Sequence, residues 1–151
     1  MPLRTVVQRV DRASVSVNSQ VISSISTGLL VFLGIEKGDK TEDADMLLEK
    51  TIHLRIFEDR NNKMNLSLID INGGMLVVSQ FTLLSDCRKG RRPSFVRAED
   101  PVPARDLYQY FIQKAAERLP CVEAGEFQAI MKVALVNDGP VTIILDSKKL
   151  F

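Results

Sequence analysis

Three short segments concentrate the side chains able to do chemistry. Ser79-Gln80-Phe81-Thr82 places two hydroxyls and an amide within four residues, and Lys89-Gly90-Arg91-Arg92-Pro93-Ser94-Phe95 sets three cations beside an aromatic ring. Asn137-Asp138-Gly139-Pro140-Val141-Thr142 joins turn-forming residues to a Gly-Pro pair. Ser79 and Thr82 fall near the end of a strand-like run. Their hydroxyls can serve a polar pocket there or simply bond neighbouring backbone. Strong nucleophilic catalysis would need a base beside the hydroxyl. The single histidine, His53, lies in a helix-like segment far along the chain, which leaves no inventory for a Ser-His-Asp triad. Cys87 and Cys121 have no evident base partner either. One histidine, two distant thiols and scattered carboxylates give no metal-ligand spacing, so no metal is expected.

The elements that must hold these segments follow from hydrophobic periodicity. Thr5 to Val10 and Ala13 to Val17 read as two short strands. Asn18-Ser19 supplies a turn, and Gln20 to Ile25 pairs back as a hairpin. Leu29 to Ile35 reads as a strand buried on both faces. Gly38-Asp39 breaks the chain. Thr41 is the expected N-cap, and Glu42, Asp43 and Asp45 suit the positive end of a helix dipole. Ala44, Leu47, Leu48, Thr51 and Leu54 lie roughly on one face of the helix that follows. A strand is expected after residue 54, closed by a turn at Asp59 to Lys63. Gly73-Gly74 leads into a strand from Met75 to Leu83, then a polar loop from Ser85 to Pro103. A second helix is expected from Ala104 to Arg118, with Leu107, Tyr108, Phe111, Ile112 and Ala115 on its apolar stripe. Residues 130–137 alternate, Asn137 to Pro140 turns, and Val141 to Leu145 is a last strand. This order predicts an α/β fold, a single-domain layered β/β/α sandwich with curved β-sheets and two main helices.

A chain of 151 residues with 45% hydrophobic content suits one domain, 1–151, with a substantial core. Twenty basic residues against nineteen acidic ones leave a net charge of +1, so any nucleic-acid contact must rest on a local cluster. Arg88, Lys89, Arg91, Arg92 and Arg97 form the densest basic stretch. It is either a solvated loop or, since it follows the Ser79 segment closely, a holder of phosphates or a nucleoside beside a pocket. Phe95 either joins that contact or anchors the loop to the core. The longest apolar run, Gly28 to Ile35, is too short for a membrane span. Charge interrupts the N-terminus too early for a signal peptide. Two cysteines without CxxC spacing suit a reducing compartment, and the expected location is the cytoplasm. No Walker or dinucleotide glycine pattern is present, and no cofactor is expected.

With Ser79-Gln80-Phe81-Thr82 and Asn137-Asp138-Gly139-Pro140-Val141-Thr142 in place, the chain closely resembles the D-aminoacyl-tRNA deacylase family. Val7-Gln8-Arg9-Val10, Leu54 to Asp59 and Leu145-Asp146-Ser147 extend the resemblance over nearly the whole chain. It implies hydrolysis of the ester that joins a D-amino acid to the 3′ end of tRNA. It also implies a homodimer with a catalytic pocket near each interface, lined by Ser79, Gln80, Phe81 and Thr82. By the same resemblance Gly139-Pro140 is cis, reaches the partner subunit's pocket and polices chirality, Arg9 braces it, and Phe127 and Met131 approach the terminal adenosine. An aminoacyl ester is already activated, and the neighbouring 2′-hydroxyl can assist, so orientation and oxyanion donors suffice. Thr82 is then first a positioning or water-orienting group and second a nucleophile. An RNA-binding module without catalysis and a general esterase are the alternatives that these residues leave open.

Overall fold

The computed structural model of the chain describes residues 3–150. Met1, Pro2 and Phe151, which the N-terminal and single-domain readings include, lie outside the described residues. The chain opens with β1 (Arg4–Val17), β2 (Gln20–Ile25) and β3 (Gly28–Gly34), then α1 (Thr41–His53). A small hairpin of β4 (Phe57–Glu58) and β5 (Met64–Leu66) leads to the one-turn α2 (Leu68–Ile71). Then come β6 (Gly74–Ser79), a 3₁₀ turn (Phe81–Leu84), α3 (Pro101–Arg118), β7 (Val122–Ala124) and β8 (Lys132–Asp146).

β1 is one continuous strand, where the sequence suggests two. Along one edge it pairs with β8 for most of its length. Along the other it pairs with β3 from Arg4 to Val10 and with β2 from Ala13 to Val17. The exposed Asp11-Arg12 pair marks the exchange of partners, and this is why the polar pair resembles a break. Asn18 and Ser19 both take positive φ, the two-residue turn that matches strand twist. The sheet continues β3-β6-β7 in parallel, and β2 curls over to pack on β6 and β7, so the sheet is strongly curved and nearly closed.

β3 and β6 are buried on both faces, and their alternation splits the core in two. Leu29, Val31, Leu33, Met75 and Val77 face α1 and α3, where they meet Leu47, Ile52, Leu107 and Phe111. Leu30, Leu76 and Val78 face inward across the curve, against Val10, Val15 and Ile25. The result is the expected β/β/α layering, with two main helices on one side.

Several boundaries differ from the sequence reading. Lys40, not Thr41, is the N-cap of α1, and its N–H donates to the Asp43 carboxylate at 2.9 Å. α3 begins at Pro101, three residues early, because prolines in the first turn need no hydrogen bond from their nitrogen. α2 and β7 have no signature in the sequence patterning. Reciprocal bonds between Ser67 and Asp70 (2.8 and 3.2 Å) nucleate α2 in a run too short to show periodicity. β6 ends at Ser79 rather than at Leu83. The Gln80 N–H takes the Leu33 carbonyl, the penultimate one of β3, at 2.8 Å, and the chain then coils so that Leu84 is fully buried. An added Cβ on Gly34 would lie 2.6 Å from Leu84 and 3.0 Å from the Gln80 carbonyl, so this glycine permits the coil. No helix among the described residues is long and apolar enough to cross a membrane.

The turn after β3 fastens the returning end of the basic loop. Buried Glu36 accepts from Arg97 Nε at 2.5 Å, and the Lys37 N–H donates to the Arg97 carbonyl at 3.0 Å. Asp39 accepts from the Glu36 N–H at 2.6 Å. Burial pushes the Asp39 carboxyl up from 3.8 to about 7. The Glu36 N–H opposes that shift, and the negative charges of Asp43 and Glu36 reinforce it. Between pH 3.8 and 7 the folded state therefore keeps a proton that the unfolded chain has lost, and stability falls as pH rises through that window. Asp39→Asn keeps the acceptor and cannot ionise. Because the group is only half-buried, solvent screening reduces the linked energy to about 1–2 kcal/mol. Urea unfolding at pH 8 should show Asp39→Asn more stable than wild type by that amount, with the gap closing toward pH 4. A constant difference across this range would contradict the assignment.

Candidate active site

Where β6 ends, the chain opens into a cavity of about 590 Å³. Ser79, Gln80 and Phe81 line it from the strand end and the coil, and Phe127 and Met131 line it from the segment before β8. These five residues were singled out in the sequence, and the fold brings them together. Thr82 is not among the lining residues. It sits one step behind, and the Gln80 amide donates to its hydroxyl at 2.6 Å. Thr82 lies in the 3₁₀ turn rather than at a strand end, so its contact with the cavity runs through Gln80.

The opposite wall is built from α3 and the loop before it, and it was not legible as part of the site. Ala98, Glu99, Pro101 and Ala104 line it, and Glu99 is the one ionisable side chain among the lining residues. The Asp100 N–H donates to the Glu99 carboxylate at 2.8 Å. From the core side, Tyr108 stacks on Phe127 with ring centroids 5.7 Å apart. The Tyr108 hydroxyl lies 2.9 Å from the Gly125 carbonyl and 3.1 Å from that of Val77, and one hydrogen serves both. Burial pushes this phenol up to about 12, so it remains a donor. Phe127 is thereby fixed in place at the cavity edge.

The basic loop stands apart. Arg91 and Arg92 are exposed and do not line the cavity. Arg88 is committed to Asp86 at 2.7 Å and Arg97 to Glu36. Phe95 connects the loop to the site, packing edge-on against Phe81 at 5.1 Å between centroids. His53 is on the last turn of α1 beside Glu49, outside the cavity. Both cysteines are exposed and free.

Gly139 and Pro140 are not at the cavity of their own chain. The expected turn is instead a bulge within the continuous strand β8. Gln8 pairs with Thr142 and Val10 with Asn137, so Asp138, Gly139, Pro140 and Val141 stand opposite Arg9 alone. The Gly139–Pro140 bond is cis, and Gly139 has φ +137°, a conformation suited to glycine. Two side chains hold the bulge. Buried Arg9 donates from Nε to the Asp138 carbonyl at 2.8 Å and from Nη1 to the Ile56 carbonyl at 2.7 Å. The Asn137 side chain accepts from the Val141 N–H at 2.8 Å and donates to the Val141 carbonyl at 3.2 Å. Gly139 and Pro140 are left exposed, outside the β1 ladder.

The same layered architecture occurs in solved structures. One, titled "c-Myc DNA Unwinding Element Binding Protein", is similar with a TM-score of 0.90 and 39% identity, over 94% of this chain and 97% of that one. Another, described as a probable eukaryotic D-amino acid tRNA deacylase, shares the fold with a TM-score of 0.84 at 19% identity, over 97% of this chain and 100% of that one. The family model for D-Tyr-tRNA(Tyr) deacylase matches residues 6–146, and the chain belongs to this D-aminoacyl-tRNA deacylase family. Relatives include the D-aminoacyl-tRNA deacylases of Syntrophus aciditrophicus (strain SB) and Petrotoga mobilis (strain DSM 10674 / SJ95). The first is 68% identical over 99% of this chain and 100% of that one, and the second 56% identical over the same shares.

Arg9→Met keeps the apolar stem but strips donors from two carbonyls. The bond to Ile56 is buried and that to Asp138 only partly, and an unsatisfied buried acceptor costs about 1–3 kcal/mol. Urea denaturation should therefore show a loss of about 1–3 kcal/mol. A loss below about 1 kcal/mol would mean that Asn137 alone holds the bulge.

Proposed function

We propose that the chain hydrolyses the ester between a D-amino acid and the 3′-terminal ribose of tRNA, acting in the cytoplasm as a chiral proofreader of translation. The observation that carries this reading is the convergence of Ser79, Gln80, Phe81, Phe127 and Met131 on one cavity in a chain of this family. The terminal adenosine lies against Phe127 and Met131, and the ester reaches Gln80 and Ser79. Backbone N–H groups at the strand-to-coil transition stabilise the oxyanion. Thr82 acts as a positioning residue that holds the Gln80 amide, and water or the 2′-hydroxyl attacks.

Handedness is read at Cα. A side-chain pocket that excludes one L residue admits a smaller one. A rigid backbone carbonyl against Cα accepts a hydrogen there and rejects any carbon substituent. Gly139 and Pro140 supply it, fixed by Arg9 and Asn137. Glycine carries hydrogen at both positions, so glycyl-tRNA passes the same filter. Since the bulge is absent from its own chain's cavity, the reading requires a homodimer in which it enters the partner's. The unpaired outer edge of β8 and the exposed Val136 and Ile144 on that strand support such an interface. Arg91, Arg92 and Phe95 contact the tRNA beyond the terminal nucleotide. In this reading the reaction uses neither metal nor cofactor.

The test is release of tyrosine from D-Tyr-tRNA and L-Tyr-tRNA by the purified protein in excess chelator. D-Tyr should be released and L-Tyr retained. Thr82→Val should lower kcat about tenfold or more without unfolding the protein, the scale of losing one charge-assisted or positioning hydrogen bond. Replacing Arg91 and Arg92 with Ala should flatten the salt dependence by about 0.7–0.9 log units per lost phosphate contact. Equal release of both enantiomers would refute the proofreading role. Activity restored only by added metal would refute metal independence.

A further inference from the structure

The reading above leaves open how the nucleic-acid strand is held at the cavity mouth, since the basic loop meets the lining only through Phe95 and its Arg91 and Arg92 stay outside. A cation on α3 touches the lining directly. Arg105 is exposed on α3, and its guanidinium lies over the Phe127 ring at 5.4 Å from the centroid. It also donates from Nη2 to the Gln128 side-chain carbonyl at 3.2 Å. Phe127 and Gln128 both line the cavity. Arg4, Arg88, Arg97 and Arg118 each pair with a carboxylate, and Arg9 is buried on two carbonyls. Among the described residues Arg105 forms no such ion pair, and its ring contact and hydrogen bond are both to cavity residues.

This arrangement suits a phosphate. A guanidinium laid on an aromatic face keeps its planar fork free while losing mobility, so little further order is needed to bind. One N–H is used on Gln128, and the remaining donors can take two oxygens of a phosphate in bidentate fashion. The lining itself offers such a group no cation, since Glu99 is the one ionisable residue among the described lining residues. A nucleoside can therefore enter while its 5′-phosphate stays at the rim, where Arg105 sits.

We infer that Arg105 binds the phosphate on the 5′ side of the terminal nucleoside while that nucleoside occupies the cavity beside Phe127. The inference rests on the proposed deacylase reading. It adds a strand-binding residue on α3, separate from the basic loop.

Two small esters isolate the contact: a D-amino acid on the 3′-hydroxyl of adenosine, and the same ester on adenosine 5′-monophosphate. Wild type should favour the phosphorylated ester about tenfold in kcat/KM, with the gain in KM, the scale of one charge-assisted hydrogen-bond pair. Arg105→Met keeps the stem on Phe127 and should remove that preference, losing twofold or less on plain adenosine ester. Arg105→Lys should restore part of it. On full-length D-aminoacyl-tRNA, Arg105→Met should flatten the plot of log KM against log salt by about 0.7. Equal losses on both esters, or an unchanged salt slope on the tRNA, would overturn the phosphate contact and leave Arg105 as packing for Phe127. Absence of any hydrolysis of D-aminoacyl-tRNA by wild type would instead overturn the functional reading, and this inference with it.

Discussion

The rest of the structure depends on the ladder between β1 and β8 and on the place where it opens widest. The two strands pair from Arg4–Asp146 to Ser16–Lys132, and at the opening one residue, Arg9, faces four. A bulge of that size in an exposed strand leaves backbone groups without ladder partners. Here a buried guanidinium and an asparagine side chain take the flanking ones. What stays unpaired is the Gly139-Pro140 segment, presented to the outside by a frame that cannot easily relax. The same β1 passes its order to β3, and β3 passes it in register to β6, whose last residue is Ser79. Both candidate parts of the site are thus mounted on one sheet.

The location of the cavity follows from how that sheet is buried. β3 and β6 have apolar side chains on both faces, one set for the helices and one for the inward curve. This arrangement must end where the strands end. There the Gln80 N–H takes the Leu33 carbonyl near the end of β3, and the chain coils back to bury Leu84, which leaves Ser79, Gln80 and Phe81 at an opening. α3 closes the other side because Tyr108 reaches across to carbonyls of β6 and of the segment after β7. The cavity is a boundary between two cores, with polar groups where neither core can continue.

Much of this could be read from residues alone. Double-sided burial of Leu29 to Ile35, the stripe on α3 and the hairpin at Asn18-Ser19 are local patterns, and local patterns survive folding. What failed is what depends on partners. Asp11-Arg12 resembles a turn because a strand changing neighbours exposes side chains as a turn does. Residues 80–83 read as strand because the apolar run continues, while the coil is imposed by the end of β3. Asn137 to Pro140 has the composition of a hairpin turn, and only the ladder to β1 shows that the strand resumes in the same direction. In the site, Phe127 and Met131 were anticipated through the family resemblance. Glu99 and Arg105 carry no motif, and they matter only because α3 packs beside the cavity.

In the proposed reading, stereochemistry is a property of backbone. Discrimination should then be insensitive to the side chain, which a pocket cannot achieve. The direct measurement is kcat/KM for matched D- and L-aminoacyl-tRNAs carrying tyrosine, alanine and aspartate. All three D forms should be cleaved, and all three D-to-L ratios should exceed the roughly 200-fold that a methylene-sized fit can provide. Cleavage of L-alanyl-tRNA at a rate close to that of its D form, with L-Tyr-tRNA still rejected, would show that side-chain size sets the selectivity and would contradict the account.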